Sequence, residues 1–186
     1  ITSRMLTAFE LGRTRRYESW LPSQFDHTLV TSRIDRDALL ALVGNGAERV
    51  RKISVLPNGV DLGYFVPDES LPRENDTLVV SGKMSYHANV TMVLDLVDKI
   101  MPHIWAVKPE VKLWIVGKDP TPEIKSLNQK NGITVTGTVD DIRPYLQRAT
   151  LAVTPISYGV GIQNKVLEAM ACGTPVVSTP QAVSTL

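Results

Sequence analysis

The sequence predicts an α/β fold in which a doubly wound parallel sheet is covered by helices on both faces. Three observations support this prediction: strand-like and helical segments alternate, the strand-like segments are almost entirely apolar, and their connections are short. A strand that is apolar on both sides is typical of a sheet buried on both faces, because a sheet facing solvent shows alternation. The predicted strands are residues 77–81, 111–116, 133–136, 150–155 and 175–178, and the predicted helices are 89–107, 122–130, 141–148 and 163–172.

The composition is that of a globular protein and argues against a nucleic-acid partner. Of 186 residues, 43% are hydrophobic and 21% are charged, enough to bury one domain of about 100–150 residues with some chain to spare. Twenty basic and nineteen acidic residues give a net charge of +1, so the basic surface that nucleic acid requires is not expected. Cys172 is the single cysteine, which excludes an internal disulfide and favours a cytoplasmic location.

The ends of the chain suggest a piece of a longer protein. The sequence begins at Ile1 rather than at a methionine and stops at Leu186, shortly after a predicted strand. No segment approaches the roughly 18 apolar residues of a membrane span, and no leader pattern opens the chain. We therefore expect a fragment without a membrane-spanning helix.

Three regions are predicted along the chain. Residues 1–57 are interpreted as a helix, a strand within 25–32, a helix that Asp35 caps, and a second strand starting at 53. Residues 58–75 are rich in proline and acidic residues and lack helical periodicity, which indicates an interdomain linker. Residues 76–186 form the doubly wound domain.

Two unusual loops are expected to face one another. Ligands of doubly wound sheets bind beyond the carboxyl ends of the strands, where the strand order reverses. If the first predicted strand is central and the order is 3-2-1-4-5, strands 1 and 4 flank this crevice. The loop "GKMSYHAN" (82–89) follows strand 1, and the loop "ISYGVGIQNK" (156–165) follows strand 4.

The residues of these loops favour a phosphate-binding site. Gly159 and Gly161 allow a close approach of the backbone to a ligand, and the helix that follows begins with unpaired amide groups. Lys83 and Lys165 would add positive charges from opposite walls, which suits a diphosphate. Glu168 would repel a phosphate but accepts hydrogen bonds from hydroxyl groups such as those of a ribose. Together these residues predict a nucleotide.

Each feature also has a purely structural explanation. Gly-x-Gly alone is explained equally well by a tight turn between a strand and a helix. Glu168 can be a solvent-facing residue that pairs with Lys165 or Asn164, and Lys83 can be a solvated loop lysine. The apolar residues of the helix are expected in the core; they are Val166, Leu167, Met170 and Ala171.

Five blocks of sequence resemble one family in their order along the chain. The blocks are "VLPNGVDLGYFVPD" (55–68), "VVSGKMSYHANV" (79–90), "LWIVGKDP" (113–120), "ITVTGTVDDIRPYLQRATLAVTPI" (133–156) and "GIQNKVLEAMACGTPVVSTP" (161–180). They resemble the retaining nucleotide-sugar glycosyltransferases of family 4 (group 1), which have the two-domain, Rossmann-like GT-B fold. The last block is similar to the bacterial sugar transferases of exopolysaccharide biosynthesis.

The resemblance implies roles for several residues. Glu168 matches the second glutamate of the family's paired-glutamate motif, which binds the donor ribose. Lys83 stands where the family usually has an arginine that contacts the diphosphate, and Val139 matches the segment that borders the nucleobase. The amides around positions 161–163 match those that hold the distal phosphate. The complete set of expected donor-binding residues is Gly82, Lys83, Val139, Gly161, Ile162, Gln163, Asn164, Lys165 and Glu168.

Two positions depart from the family pattern. The first glutamate of the pair would fall eight residues before Glu168, where this sequence has Val160. The family's second diphosphate-binding lysine, a few residues after Lys83, is also absent; Asn89 lies nearby, and Lys165 is expected to compensate. No catalytic residue is assigned.

The resemblance implies transfer of a sugar from a nucleotide-sugar donor to a glycan or lipid-linked acceptor with retention of configuration. Residues 1–57 then correspond to the terminal segments of the N-terminal GT-B domain, and residues 76–186 to a truncated, donor-binding C-terminal domain. We expect such a fragment to be inactive alone and to need no metal or cofactor. An exposed interdomain surface would favour a homodimer.

Four alternatives stay open at this point. A nucleotide-sugar epimerase of the same fold and a non-catalytic nucleotide-sugar-binding module share the predicted site. Asp35-x-Asp37 can hold a metal, although a helix cap at Asp35 is favoured. The segment "RTRRYESW" (13–20) can dock on anionic lipid at the inner membrane face, although a solvated helix face is favoured.

Overall fold

The first of two units contains a small parallel sheet and the helices that pack on it. The computed structural model describes residues 3–44, 47–158 and 163–185, without the side chains of 3–9, 47, 49 and 50. The chain divides after Asn58 into two units, which are described separately. The elements of the first unit are α1 (Ser3–Trp20), a 3₁₀ turn (Leu21–Gln24), β1 (Thr28–Val30), α2 (Arg33–Val43), α3 (Ala47–Lys52) and β2 (Ile53–Val55).

The start of α2 corrects the predicted helix cap. Ser32, not Asp35, is the capping residue: its hydroxyl accepts a hydrogen bond from the Asp35 amide at 3.0 Å and donates to Asp35 Oδ2 at 2.7 Å. The cap therefore lies three residues before the predicted one, and the helix runs from Arg33 to Val43. A short serine side chain reaches the amide of the third helical residue and so satisfies one of the donors left unpaired at the start of a helix.

The second unit is a five-stranded parallel sheet with the order β5-β4-β3-β6-β7. Its strands are β3 (Thr77–Ser81), β4 (Lys112–Val116), β5 (Ile133–Gly137), β6 (Leu151–Thr154) and β7 (Val176–Ser178). All neighbouring strands are parallel. The predicted order and the doubly wound α/β fold are confirmed.

The four helical segments predicted for this unit are observed, and a short helix at 180–183 was not predicted. The helices are α4 (His87–Asp95), α5 (Met101–Val107), α6 (Pro122–Ser126), α7 (Arg143–Arg148), α8 (Asn164–Ala171) and α9 (Pro180–Val183). One π-helical turn, Leu96–Ile100, joins α4 to α5 directly before Pro102. Since proline has no amide hydrogen to donate, this local widening accommodates it without ending the helix.

Successive residues of β3 enter two different cores. Leu78 and Val80 pack with α4 on one face of the sheet, and Val79 packs with α7 and α8 on the other face. All five residues of β3 are buried. This explains why the middle of the central strand, residues 78–80, is continuously apolar: both of its faces are covered.

Helix α8 corrects one expectation about the core. Val166, Ala169 and Cys172 are buried, whereas Met170 is 59% exposed. The buried residues recur every three positions, so Met170 is turned away from the core by about 100° relative to Ala169. The sequence analysis therefore predicted a wider buried face on α8 than the structure shows.

Residues 61–75, which we call the strap, pack against the rest of the second unit. Arg143 donates to the Tyr64 carbonyl at 3.1 Å, Gln147 donates to the Val66 carbonyl at 2.8 Å, and Arg73 donates to the Gly173 carbonyl at 2.6 Å. The assignment of 58–75 as an interdomain linker, and of 1–57 and 76–186 as parts of two GT-B domains, stays a prediction.

Candidate functional site

The polar residues singled out by the sequence lie where the strand order reverses. Strand β3 pairs with β4 on one side and with β6 on the other, so the loops after β3 and β6 leave the sheet side by side. In sheets of this kind the ligand site lies beyond these carboxyl ends.

The loop after β3 begins with a close approach between two backbones. Gly82 has φ +147° and donates its amide to the Val116 carbonyl at 3.1 Å. Gly117, after β4, has φ +154°, and a Cβ added there would lie 1.7 Å from the Gly82 carbonyl oxygen. Both positions therefore require glycine, and the two loops are fixed against each other.

Lys165 of α8 reaches across to this loop. Its Nζ donates to Asn89 Oδ1 at 2.5 Å, and Asn89 Nδ2 donates to the Lys83 carbonyl at 3.0 Å. A Cβ added at Gly82 would lie 3.3 Å from Lys165 Nζ and 2.8 Å from Asn89 Nδ2. We call Gly82, Lys83, Asn89 and Lys165 the crevice cluster.

The two ionisable groups of α8 are shifted in opposite directions. Burial lowers the pKa of Lys165 to about 8, and the nearby Glu168 carboxylate partly opposes this shift. Burial raises the pKa of Glu168, and Lys165 partly opposes that shift. Burial disfavours the charged form of each group, so both would gain from a ligand that pairs with it.

Lys83 contributes its backbone to the cluster, while its ammonium lies further out. Its Nζ is 4.0 Å from Asp119 Oδ2 in the loop after β4, and its side chain is 56% exposed. An ion pair this exposed is weak in water. The structure thus brings Gly82, Asn89 and Lys165 together and places the Lys83 ammonium beside an aspartate.

The remaining predicted residues are only partly described. Val139 is half-buried and packs against the core face that includes Ala169. Gln163 precedes α8 directly, and Asn164, the first residue of α8, is exposed. Gly161 and Ile162 lie outside the described residues, as do Gly159 and Val160.

One cluster of the same region was missed by the sequence analysis. The Tyr158 hydroxyl lies 3.1 Å from His87 Nδ1 and 3.0 Å from Thr91 Oγ1, and the rings of Tyr158 and His87 stack with centroids 5.5 Å apart. These contacts tie the loop after β6 to the first turns of α4. The sequence analysis placed His87 and Tyr158 on two loops that it expected to face one another, but it did not pair these two residues, which are 71 positions apart.

Two alternative motifs lie in the first unit. Asp35 accepts hydrogen bonds from Thr31 and Ser32, and Asp37 lies 3.8 Å from Arg36. Within the part of the chain that the structure describes, no three His, Cys, Asp or Glu side chains are grouped as metal ligands. None of the helices in the described ranges has the length and apolar character needed to cross a membrane.

Tyr17 and Trp20 lie on one exposed face of α1. Their ring centroids are 5.7 Å apart, and the side chains are 57% and 50% exposed. Arg13 and Arg16 precede these aromatic residues at helical spacing. Contact of this face with anionic lipid stays a prediction.

Curated proteins similar to this chain share glycosyltransferase names. The phosphatidylinositol N-acetylglucosaminyltransferase gpi3 subunit of Schizosaccharomyces pombe is 27% identical over 137 residues, covering 69% of this chain and 29% of that protein. The D-inositol 3-phosphate glycosyltransferase of Segniliparus rotundus is 31% identical over 142 residues, covering 69% of this chain and 32% of that protein. The match thus spans about a third of the length of these relatives.

Solved structures show the same fold at low sequence identity. HepE of Anabaena, solved with UDP and glucose, has a TM-score of 0.65 and 18% identity over 88% of this chain and 47% of its own. Sucrose-phosphate synthase of Thermosynechococcus elongatus has a TM-score of 0.65 and 23% identity, covering 88% of this chain and 43% of its own. These likenesses confirm the Rossmann-like GT-B fold class.

The family comparison covers the whole region that contains the crevice cluster. The family model for Glycosyl transferases group 1 matches residues 75–186, more than half of the chain. The match includes β3, the loop after it and all of α8. The chain belongs to the group 1 glycosyl transferases.

Proposed function

We propose that this chain is the donor-binding half of an enzyme that transfers a sugar from a nucleotide-sugar to a glycan or lipid-linked acceptor. The observation that carries this proposal is the setting of Lys165. Its ammonium is half-buried, is held by the neutral amide of Asn89 and lies beside the carboxyl ends of β3 and β6. Family membership and the fold shared with UDP complexes support it. The relatives named for phosphatidylinositol make a lipid-linked acceptor reasonable.

In this proposal the residues of the cluster stabilise the diphosphate as it departs. Lys165 supplies a half-buried positive charge beside Asn89, and Lys83 supplies an exposed charge that water and Asp119 screen. Amides near Gln163 bind the distal phosphate. Such groups stabilise the transition state because they are in place before charge develops. The donor is then held by protein cations and amides, with neither a metal nor a cofactor.

Glu168 and Val139 would bind the other end of the donor. The resemblance gives Glu168 to the ribose hydroxyls and Val139 to the base. Because burial raises the pKa of Glu168, two hydroxyl donors would stabilise its charged form. We further propose that the enzyme belongs to family 4, retains the configuration of the sugar and takes part in exopolysaccharide synthesis. We also propose that it forms a homodimer and lies in the cytoplasm at the inner membrane face.

The binding proposal is tested by titrating nucleoside diphosphates into the chain by calorimetry. UDP is the first probe because HepE was solved with it. We expect Glu168→Ala to weaken UDP binding about tenfold or more, since loss of a charged acceptor costs about 1.5–3 kcal/mol. Glu123→Ala, on the exposed side of α6, is the matched control. Equal affinity of the Glu168 variant and the parent would remove its ribose role.

A non-catalytic nucleotide-sugar-binding module is the second candidate function. It is favoured by Val160, which replaces the first glutamate of the paired motif. The two candidates are separated by product analysis of the full-length protein with a labelled UDP-sugar and a glycan or lipid acceptor. Transfer to the acceptor supports the enzyme, and binding without turnover supports the module.

A further inference from the structure

The side chain of Asn89 is held by bonds at both ends. Asn89 lies in the first turn of α4 and is only 6% exposed. Its amide nitrogen donates to the Lys83 carbonyl at 3.0 Å, and its oxygen accepts from Lys165 Nζ at 2.5 Å. The carbonyl can only accept and the ammonium can only donate, so these partners fix which way the amide points. Asn89 therefore joins the loop after β3 to α8 in one orientation.

Another lysine of the same unit shows what a charged acceptor does instead. Lys108 Nζ lies at the same distance, 2.5 Å, from Asp76 Oδ1. The pKa of Lys108 is raised by its hydrogen bond to Asp76, whereas burial lowers the pKa of Lys165. A carboxylate balances the positive charge of the lysine that it binds, whereas a neutral amide binds the ammonium without balancing its charge.

The charged groups on Lys165's own helix and on the neighbouring loops are Glu168, Lys83 and Asp119. Glu168 lies on the same helix and partly opposes the effect of burial. The loop after β3 brings Lys83, and the loop after β4 brings Asp119, whose carboxylate is 4.0 Å from the Lys83 ammonium. Asp119 thus pairs with Lys83, and among the described residues the hydrogen-bond acceptor of Lys165 is the neutral Asn89.

We propose that Asn89 is a positioning residue that directs the Lys165 ammonium to the diphosphate and leaves its positive charge for that ligand. This inference rests on the proposed function, since it assigns a role within the same donor site. Asn89 does not touch the donor in this account; it acts through Lys165.

Two variants of near-equal size separate position from charge. Asn89→Asp keeps an acceptor but makes it anionic, and Asn89→Leu removes the acceptor. UDP affinity is measured by calorimetry from pH 7 to 9.5 for the parent and both variants. We expect the parent to lose affinity as the pH rises through about 8, where Lys165 loses its proton. We expect both variants to bind UDP about tenfold more weakly at pH 7.

The pH profile distinguishes a positioning role from a merely structural one. In Asn89→Asp the new ion pair raises the pKa of Lys165, so the alkaline loss of affinity moves to higher pH. A direct titration of the Lys165 ammonium by NMR, without ligand, is expected to move in the same direction. Asn131→Asp, at an exposed turn before β5, adds the same charge elsewhere and is expected to change neither measurement.

The outcomes separate this inference from the proposed function. If the parent binds UDP while the Asn89 variants keep its affinity and its Lys165 titration, the inference alone is overturned. If the parent binds no nucleoside diphosphate, both are overturned. In a Lys165→Met background the Asn89 variants are expected to have little further effect, and a full additional loss would also overturn the inference.

Discussion

The cations on two parts of the second unit are partnered in opposite ways. Along the strap, Arg143 forms a two-pronged pair with Asp141, Arg148 pairs with Glu74, and Arg73 donates to backbone carbonyls. In the crevice cluster, Lys165 is held by the neutral side chain of Asn89 in a half-buried setting. The arginines in and around the strap thus have carboxylate or carbonyl partners within the chain, whereas Lys165 of the crevice cluster is hydrogen-bonded to a neutral amide.

This difference separates cations that stabilise the fold from a cation that is available to bind a ligand. A cation bonded to carboxylates or carbonyls of its own chain stabilises the fold. Because its hydrogen-bond donors are already used, it contributes little to binding a ligand. A half-buried cation with a neutral acceptor reduces stability and gains from an anion that arrives later. The following substitutions test this division, from the largest expected effect to the smallest.

Gly117→Ala is expected to have the largest effect, because it breaks the scaffold beneath the crevice cluster. The new Cβ would lie 1.7 Å from the Gly82 carbonyl oxygen at φ +154°. We expect a loss of about 3 kcal/mol or more of unfolding free energy, measured by urea titration. Gly59→Ala, where no atom lies within 4 Å of the added Cβ, is the control. Similar stability of the two variants would contradict the close approach.

Arg73→Met is expected to destabilise the strap without affecting the ligand site. Arg73 donates to the Gly173 carbonyl at 2.6 Å and to the Ala149 carbonyl at 2.8 Å. Loss of these bonds and of a longer one to Thr174 Oγ1, at 3.3 Å, from this exposed residue is expected to cost about 1–2 kcal/mol of unfolding free energy. UDP affinity of the folded variant should equal that of the parent. A stable variant with weak UDP binding would reverse the proposed roles of the two regions.

Lys165→Met is expected to show the opposite pattern to Arg73→Met. We expect a loss of UDP affinity of about tenfold, equivalent to about 1.4 kcal/mol, with no loss of stability. Lys125→Met on exposed α6 is the matched control. Reduced thermal stability with unchanged UDP affinity would make Lys165 a structural residue.

The pH dependence of stability gives a further test of Lys165. Its pKa is about 8 in the folded chain, below its ordinary value of 10.5. Between these two values the unfolded chain holds a proton that the folded chain has released, so the unfolding free energy rises with pH. We expect this rise, of order 1 kcal/mol, in the difference between the parent and Lys165→Met. A difference that stays constant from pH 7.5 to 10 would contradict the effect of burial.

Lys83→Met is expected to have the smallest effect. Its ammonium is exposed and lies beside Asp119, so water and salt screen its charge. We expect UDP affinity to fall about twofold to threefold at low ionic strength and to match the parent at high salt. A salt-independent loss as large as that of Lys165→Met would place Lys83 inside the site.

The sheet could be predicted from the sequence because its signals are local. Strands such as β3 are short apolar runs, and the connection rules for parallel strands leave few possible orders. The cap at Ser32 and the exposure of Met170 were missed because each depends on a shift of one to three residues along a helix. A shift of this size changes which residues face the core but leaves the spacing of apolar and polar residues along the helix almost unchanged.

The candidate site was predictable only in part. Lys83 and Lys165 stand out beside glycine-rich loops, but the contact between Lys165 and Asn89 joins residues 76 positions apart. The contact between Tyr158 and His87 likewise joins distant residues, 71 positions apart. A single sequence shows which residues carry chemistry; which of them meet is decided by the order of the strands.

The hydrogen bond between Arg73 and the Gly173 carbonyl joins residues 100 positions apart. During synthesis the strap therefore leaves the ribosome before its docking surface exists. At about 5–20 residues per second, it waits roughly 5–20 s for the turn after α8 to emerge. Nascent-chain pulse proteolysis should find residues 61–75 open to cleavage until that moment, which makes their docking a late step of co-translational folding.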